Sequence, residues 1–202
     1  MLWLDLSQGI GTVHDKAMQK ARAALTHAQR ELADLKASND FSSIERHWLA
    51  FLDNANRVFT RLEQAANASP KGKAWWSNQV QEWKKDPLLQ YVRQAKDSTH
   101  HSIQDIAATN PGRATPIIDA SPEELGQLHD ALKKVGKPYA ILGGFEVVFP
   151  HVEVLDVVNR GATFPRPTSH LGQPVSATTP AAIGDLTLLH LEKMIRQVEL
   201  FG

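Results

Sequence analysis

Two long amphipathic stretches separated by a single short break constrain this chain more than any other feature. From about Val13 to Ala37, the residues Ala21, Ala24, Leu25, Ala28, Leu32 and Leu35 recur at spacings of three and four, which puts them on one side of a helix. Ser38-Asn39-Asp40 interrupts the pattern. A second run, about Ser42 to Ala66, has its own stripe of Ile44, Trp48, Phe51/Leu52, Ala55, Val58/Phe59, Leu62 and Ala65. Long helices joined by a short loop fold as an antiparallel hairpin. The alanines of the first stripe allow a close approach of the two axes. A chain that begins this way is committed to a helical bundle.

Ser69-Pro70-Lys71-Gly72-Lys73 reads as a turn, followed by a third helix over about Lys73 to Lys85. Trp76, Val80 and Trp83 share one face of it, as core-packing residues do. An exposed nucleotide-stacking platform beside Lys84 and Lys85 is the sharper alternative. Asp86 suits a helix N-cap and Pro87 a first helical position, so a fourth helix begins there. Its apolar stripe is Leu88, Val92, Ala95, Thr99, Ile103 and Ile106. At ~100° per residue, Lys96 lies roughly 60° from the middle of that stripe, and Arg93 and His100 roughly 100–120° away. Asp97 and His101, four apart, share a face that points away from the stripe. They are expected to meet solvent, the C-terminal part of the chain or a second copy.

Lys96-Asp97-Ser98-Thr99-His100-His101, preceded by DPLLQYVRQA, resembles the motif helix of the HEPN-like superfamily: a cation, a polar residue, a few variable positions, then histidine. Lys96 stands where that motif usually has arginine, and Arg93 to His100 forms a second register. The resemblance covers this helix and, in outline, the first 108 residues. It implies a helical bundle that pairs through its motif helix as a homodimer. It also implies metal-independent RNA cleavage at a composite site. In such a site His101 would be the acid/base group, oriented by Asp97. Arg93 or Lys96 would stabilise the anion, and His100 would be a second acid/base group.

Lys plus Arg and Asp plus Glu balance to a formal net charge of zero. That argues against a strongly electrostatic nucleic-acid binder, which relies on clustered cations, although it leaves room for a small local RNA site. No cysteine is present, so neither a disulfide framework nor a thiolate metal site is possible. No cofactor and no metal are expected. Adjacent His100 and His101 diverge by ~100° on a helix, and no HExxH, GxxxxGK[ST] or GxSxG pattern occurs. The opening MLWLDLSQGIG does not read as a signal peptide, since Asp5 interrupts its apolar run. No stretch is long and apolar enough to span a bilayer. The lack of cysteine suits a reducing cytoplasm, and the HEPN-like resemblance implies a bacterial protein.

Beyond the motif helix, Thr109-Asn110-Pro111-Gly112 is expected to end regular structure. A capping-box pattern from Ser121 to Glu124 opens a short helix that Gly136 closes. Strands near Tyr139–Leu142 and Phe145–Phe149 flank a Gly143-Gly144 turn, and alternation over 152–158 adds a third strand of an antiparallel meander. The 159–172 segment reads as an irregular, proline-stiffened connector. Thr179 and Pro180 start a last helix. His14, His27 and His190 read as surface residues.

The expected class is therefore mainly α (α+β). Four long helices and a C-terminal helix form a bundle, with a small antiparallel β-meander inserted before the last helix. Residues 1–108 would be the HEPN-like bundle. Residues 109–202 would be an α/β elaboration whose helix 179–201 packs back on it. The expected function is a dimeric scaffold or partner-binding protein. The alternative is a metal-independent endoribonuclease using Arg93, Lys96, Asp97, His100 and His101. Lysine lacks the planar fork of arginine that grips a phosphate in two places, which favours the scaffold.

Overall fold

The computed structural model describes residues 12–101, 105–116, 121–123, 139–142, 145–148 and 150–202, and the side chains of 99–101, 114, 116, 139–142, 145 and 146 are not part of that description. The opening segment 1–11, most of the expected 121–136 helix and the Gly143-Gly144 turn lie outside the described residues.

Each helix starts where a side chain satisfies its free backbone N–H groups. Helix α1 (Val13–Ala37) has a capping box: Asp15 N–H donates to the Thr12 hydroxyl at 3.1 Å, and Thr12 N–H donates to the Asp15 carboxylate at 3.0 Å. Helix α2 (Phe41–Ala66) is capped by Asp40, which accepts from Ser43 N–H at 2.8 Å. Helix α3 (Pro70–Trp83) is capped by Ser69 and begins three residues earlier than its hydrophobic pattern does. Its Pro70 fits the first turn, where no N–H is needed. Helix α4 spans Pro87–His101 and helix α5 spans Pro180–Val198, capped by Thr179, with a 3-10 turn at Glu199–Phe201.

Helices α1 and α2 form the expected hairpin, with Ala21, Ala28 and Ala55 fully buried between them. Trp48 stacks on Phe51 with ring centroids 5.4 Å apart. Each such fully buried large side chain contributes about 1.5–3 kcal/mol. Helix α5 lies against both. A Cβ at Gly184 would fall 2.5 Å from Leu32 Cδ1, so glycine there permits the close approach of α5 to α1. Exposed pairs along this seam, Arg22 with Glu199 at 2.7 Å and Lys36 with Asp185 at 2.6 Å, add little beyond register. His14 is buried rather than at the surface, with Nδ1 3.2 Å from the Ala65 carbonyl.

The strands depart from a simple meander. Strand β1 (Ala107–Asn110) pairs antiparallel with β5 (His151–Val154), and β2 (Arg113–Pro116) pairs with β4 (Phe145–Val148), which also pairs with β3 (Tyr139–Leu142). The expected third strand, 152–158, therefore does not extend the β3–β4 pair. It splits at Leu155 into β5 and β6 (Val157–Asn159), and β6 pairs with β7 (Ala162–Phe164). The reason lies upstream. Gly112, at φ 77°, turns the chain after β1, and its N–H donates to Asn110 Oδ1 at 2.9 Å. Thr109 to Gly112 thus links two strands instead of ending regular structure. The presumed connector 159–172 also folds, as the β6–β7 hairpin and the small β8–β9 hairpin (Ser169–His170 with Gln173–Pro174). Among the described residues no helix is long and apolar enough to cross a membrane.

Candidate functional site

Helix α4 buries Leu88, Val92 and Ala95 as its pattern predicts, and also Tyr91. The Tyr91 hydroxyl donates to the Leu155 carbonyl at 2.8 Å, while Leu155 N–H donates to the Ile106 carbonyl at 3.0 Å. Burial, reinforced by the Asp156 charge, raises the Tyr91 pKa, so the hydroxyl stays a donor. These bonds pin the chain between β5 and β6 to α4. The β6–β7 hairpin that follows is thereby laid along the polar flank of α4, where Asn159 Nδ2 donates to Gln94 Oε1 at 2.7 Å.

A cleft of about 760 Å³ results, bounded by α2, α3, α4 and the hairpin. Its apolar part is Phe59, Val80, Leu89 and Phe164, over the buried indoles of Trp76 and Trp83. Those indoles meet edge to face at 4.9 Å, and Phe59 meets Trp83 at 5.0 Å. The tryptophans are thus a packed floor rather than an exposed stacking platform. The polar part carries Lys84, Arg93 and Arg160, the carboxylates of Glu63 and Asp97, and the amides of Asn56, Gln90 and Gln94. Lys84, Arg93 and Arg160 are exposed and have no ion-pair partner among the described residues.

Of the residues singled out from sequence, Arg93 and Asp97 are brought together in this cleft. Lys96 is half-buried, pairs with Asp97 at 3.5 Å and is not part of the lining. His100 and His101 are the last two residues of α4, and their side chains lie outside the described residues. Arg160 and Asn159 were missed. Their signal was Val157-Val158-Asn159-Arg160-Gly161-Ala162, a two-residue turn between short β-prone runs, with glycine at its second position.

A second constellation sits at the start of α4. Asp86 is buried and accepts three hydrogen bonds: from Leu89 N–H at 2.9 Å, Leu171 N–H at 2.7 Å and His170 Nδ1 at 3.1 Å. Burial alone would push its carboxyl up. The bonds from His170, Leu171 and Leu89 outweigh it and hold the group down at about 2. His190, on α5, faces His170 edge to face at 5.4 Å. It is buried, contrary to expectation, and neither ring nitrogen has a hydrogen-bond partner among the described residues. Burial, then the charge of His170, lower its pKa to about 4, so the ring is neutral at pH 7.

Among the described residues one group of side chains is close enough to share a cation: Glu31, Asp34 and His47, with donor atoms all within 4.8 Å. His47 Nε2 lies 3.0 Å from the Arg46 guanidinium, which only donates. The His47 proton is therefore on Nδ1 and donates to Glu31 at 2.8 Å. Coordination through Nδ1 would move that proton to the side facing Arg46, so these groups form a hydrogen-bonded set rather than a prepared metal site.

No family model matches the chain, and no curated protein or solved structure matches it either.

Proposed function

We propose that this chain is a HEPN-like scaffold that binds a partner through the cleft beside α4 and does not cleave RNA. The observation that carries this reading is the fate of α4's polar flank. It forms one wall of a cleft of about 760 Å³, within the size range of binding sites, with three cations at its rim that have no ion-pair partner among the described residues. Two features weigh against phosphodiester chemistry there. Glu63 and Asp97 share the cleft and repel a phosphate, and Lys96, the motif cation, pairs with Asp97 instead of facing the cleft. The homodimer through α4 implied by the HEPN-like resemblance remains part of the proposal, and a solution mass at high concentration checks it.

The alternative is a metal-independent endoribonuclease. One observation favours it: Arg93 is exposed and has no ion-pair partner among the described residues, as an anion-stabilising group would be. The test uses the purified full chain, labelled single-stranded RNA of mixed sequence and a chelator, with His100→Ala and His101→Ala in parallel. Intact RNA in all samples supports the scaffold. Chelator-resistant cleavage that His101→Ala abolishes replaces it with the nuclease.

A further inference from the structure

The cleft's chemistry is mixed in a way that selects among occupants. Three exposed cations surround it, so an anionic group is attracted. Two carboxylates sit among them, so an occupant of phosphate at every step would meet repulsion at Glu63 and Asp97. An occupant carrying carboxylates and N–H donors together suits both sets of groups, and a polypeptide has that combination. The amide groups of Gln90 and Asn56 already donate to the Lys84 and Leu52 carbonyls, and their side-chain oxygens can accept from the N–H groups of an extended backbone. The apolar floor asks for a hydrophobic anchor.

The hairpin tip adds an independent argument. Arg160 has φ 51°, a left-handed conformation that a long L side chain adopts only at a cost. Leu171 shares the conformation at φ 48°, and there the strain is compensated within the fold, because its N–H donates to Asp86. At Arg160 the same conformation closes the two-residue β6–β7 turn and sets the arginine at its tip, beside the cleft, with no hydrogen bond of its own among the described residues.

We infer that the cleft takes an acidic peptide segment of a partner protein, its carboxylates held by Arg93 at one wall and Arg160 at the hairpin tip, its apolar anchor over the Trp76–Trp83 floor. This rests on the binding-module reading and names the partner chemistry for it. A side-chain carboxylate and a peptide's C-terminal carboxylate are the two sources of the anion. A displayed library with a blocked C-terminus keeps only the first.

The experiment pans a random, C-terminally blocked peptide library against the full chain, with the Arg93→Glu/Arg160→Glu variant as the counter-target. Circular dichroism and a thermal melt verify that the variant is folded. Enrichment of peptides that combine Asp or Glu with an aromatic or aliphatic residue, and that fail to bind the variant, is the expected result. The best peptide should lose about tenfold in affinity for each arginine neutralised. It should lose more when its own Asp and Glu become Asn and Gln. Enrichment of neutral or basic peptides, no enrichment at all, or a mixed-sequence RNA binding the wild type more tightly than any peptide overturns the inference. The outcomes separate from those of the cleavage assay. RNA cleavage removes the scaffold reading whatever the library yields. A failed library with uncut RNA removes the acidic-peptide occupant and leaves the scaffold standing.

Discussion

Two hairpins of the C-terminal half use one device and put it to different ends. Each has a two-residue turn with both residues at positive φ, Arg160-Gly161 in β6–β7 and Leu171-Gly172 in β8–β9. In β8–β9 the turn is fastened: Leu171 N–H and His170 both bond to the buried Asp86 carboxylate, and His190 of α5 packs against His170. In β6–β7 the strand end just before the turn is fastened, through Asn159 and Gln94, while the turn itself presents an exposed arginine at the cleft. The same backbone geometry serves fold cohesion in one place and, on the proposed function, recognition in the other. What distinguishes them is whether the turn's polar groups already have buried partners.

The sharpest break of that contrast is at Asp86. Asp86→Ala removes an N-cap, an acceptor for Leu171 and the partner of His170 at once. A loss of about 3 kcal/mol is expected, or roughly 6–12 °C in Tm for a chain of this size. Asn159→Ala, the corresponding change in the other hairpin, loses one hydrogen bond and about 1 kcal/mol. Chemical denaturation of the two variants checks the ranking, and equal losses would show that the two hairpins are anchored alike.

Acid should distinguish them too. His190 titrates at about 4 when folded and near 6.5 when unfolded, and it is faced by His170, Asp86 and Lys193. Between those values the unfolded chain binds the proton and the folded chain does not, so stability falls as pH drops from about 6.5 to about 4. The full loss is about 3 kcal/mol. Asp86, held at about 2 against an ordinary 3.8, adds a further decline below pH 4. Melts at stepwise lower pH check this. The slope between pH 6.5 and 4 should flatten in His190→Leu, and a wild type and variant that decline in parallel would remove His190 from the account.

Much of the bundle could be read in the letters because its signals are local. The stripes of α1 and α2, the break at 38–40, and the Asp86-Pro87 start of α4 each declare themselves within a few turns of helix. The motif flank was only half legible. Helical angles placed Arg93 and Asp97 off the buried face, but nothing local to α4 says that Asn159 and Arg160, more than sixty residues on, would face them. His170 and His190 show the same limit. An isolated histidine looks like a surface residue until a distant aspartate and a neighbouring helix bury it. The strands β1 and β2 escaped because four-residue strands around a Pro-Gly turn resemble a loop until their partners are known.

A smaller test asks whether the two turns are equivalent as backbone. Gly161, at φ 80°, and Gly172, at φ 77°, both have open space where a Cβ would stand. Gly161→Ala and Gly172→Ala should therefore each cost about 1 kcal/mol through backbone strain alone. Denaturant titration reads both. A much larger loss at Gly172 would mean that the fastening to Asp86 leaves no freedom to relax.

The smallest effect on stability carries the most information about function. Asparagine tolerates the left-handed conformation better than arginine or leucine, so Arg160→Asn and Leu171→Asn should each stabilise the fold by about 0.5 kcal/mol. Leu171 is largely exposed, and its bond to Asp86 is made by the backbone, so that change leaves the anchor intact. The two variants should then part company in binding. Leu171→Asn should keep the affinity for the selected acidic peptide, and Arg160→Asn should lose about tenfold although its fold is no weaker. A loss of affinity with a gain in stability marks an arginine retained for a ligand rather than for the turn, because a merely structural arginine would lose neither or both together. Calorimetric titration with a parallel melt reads both quantities on one sample. If both asparagine variants bind as the wild type does, the tip of β6–β7 is only a turn.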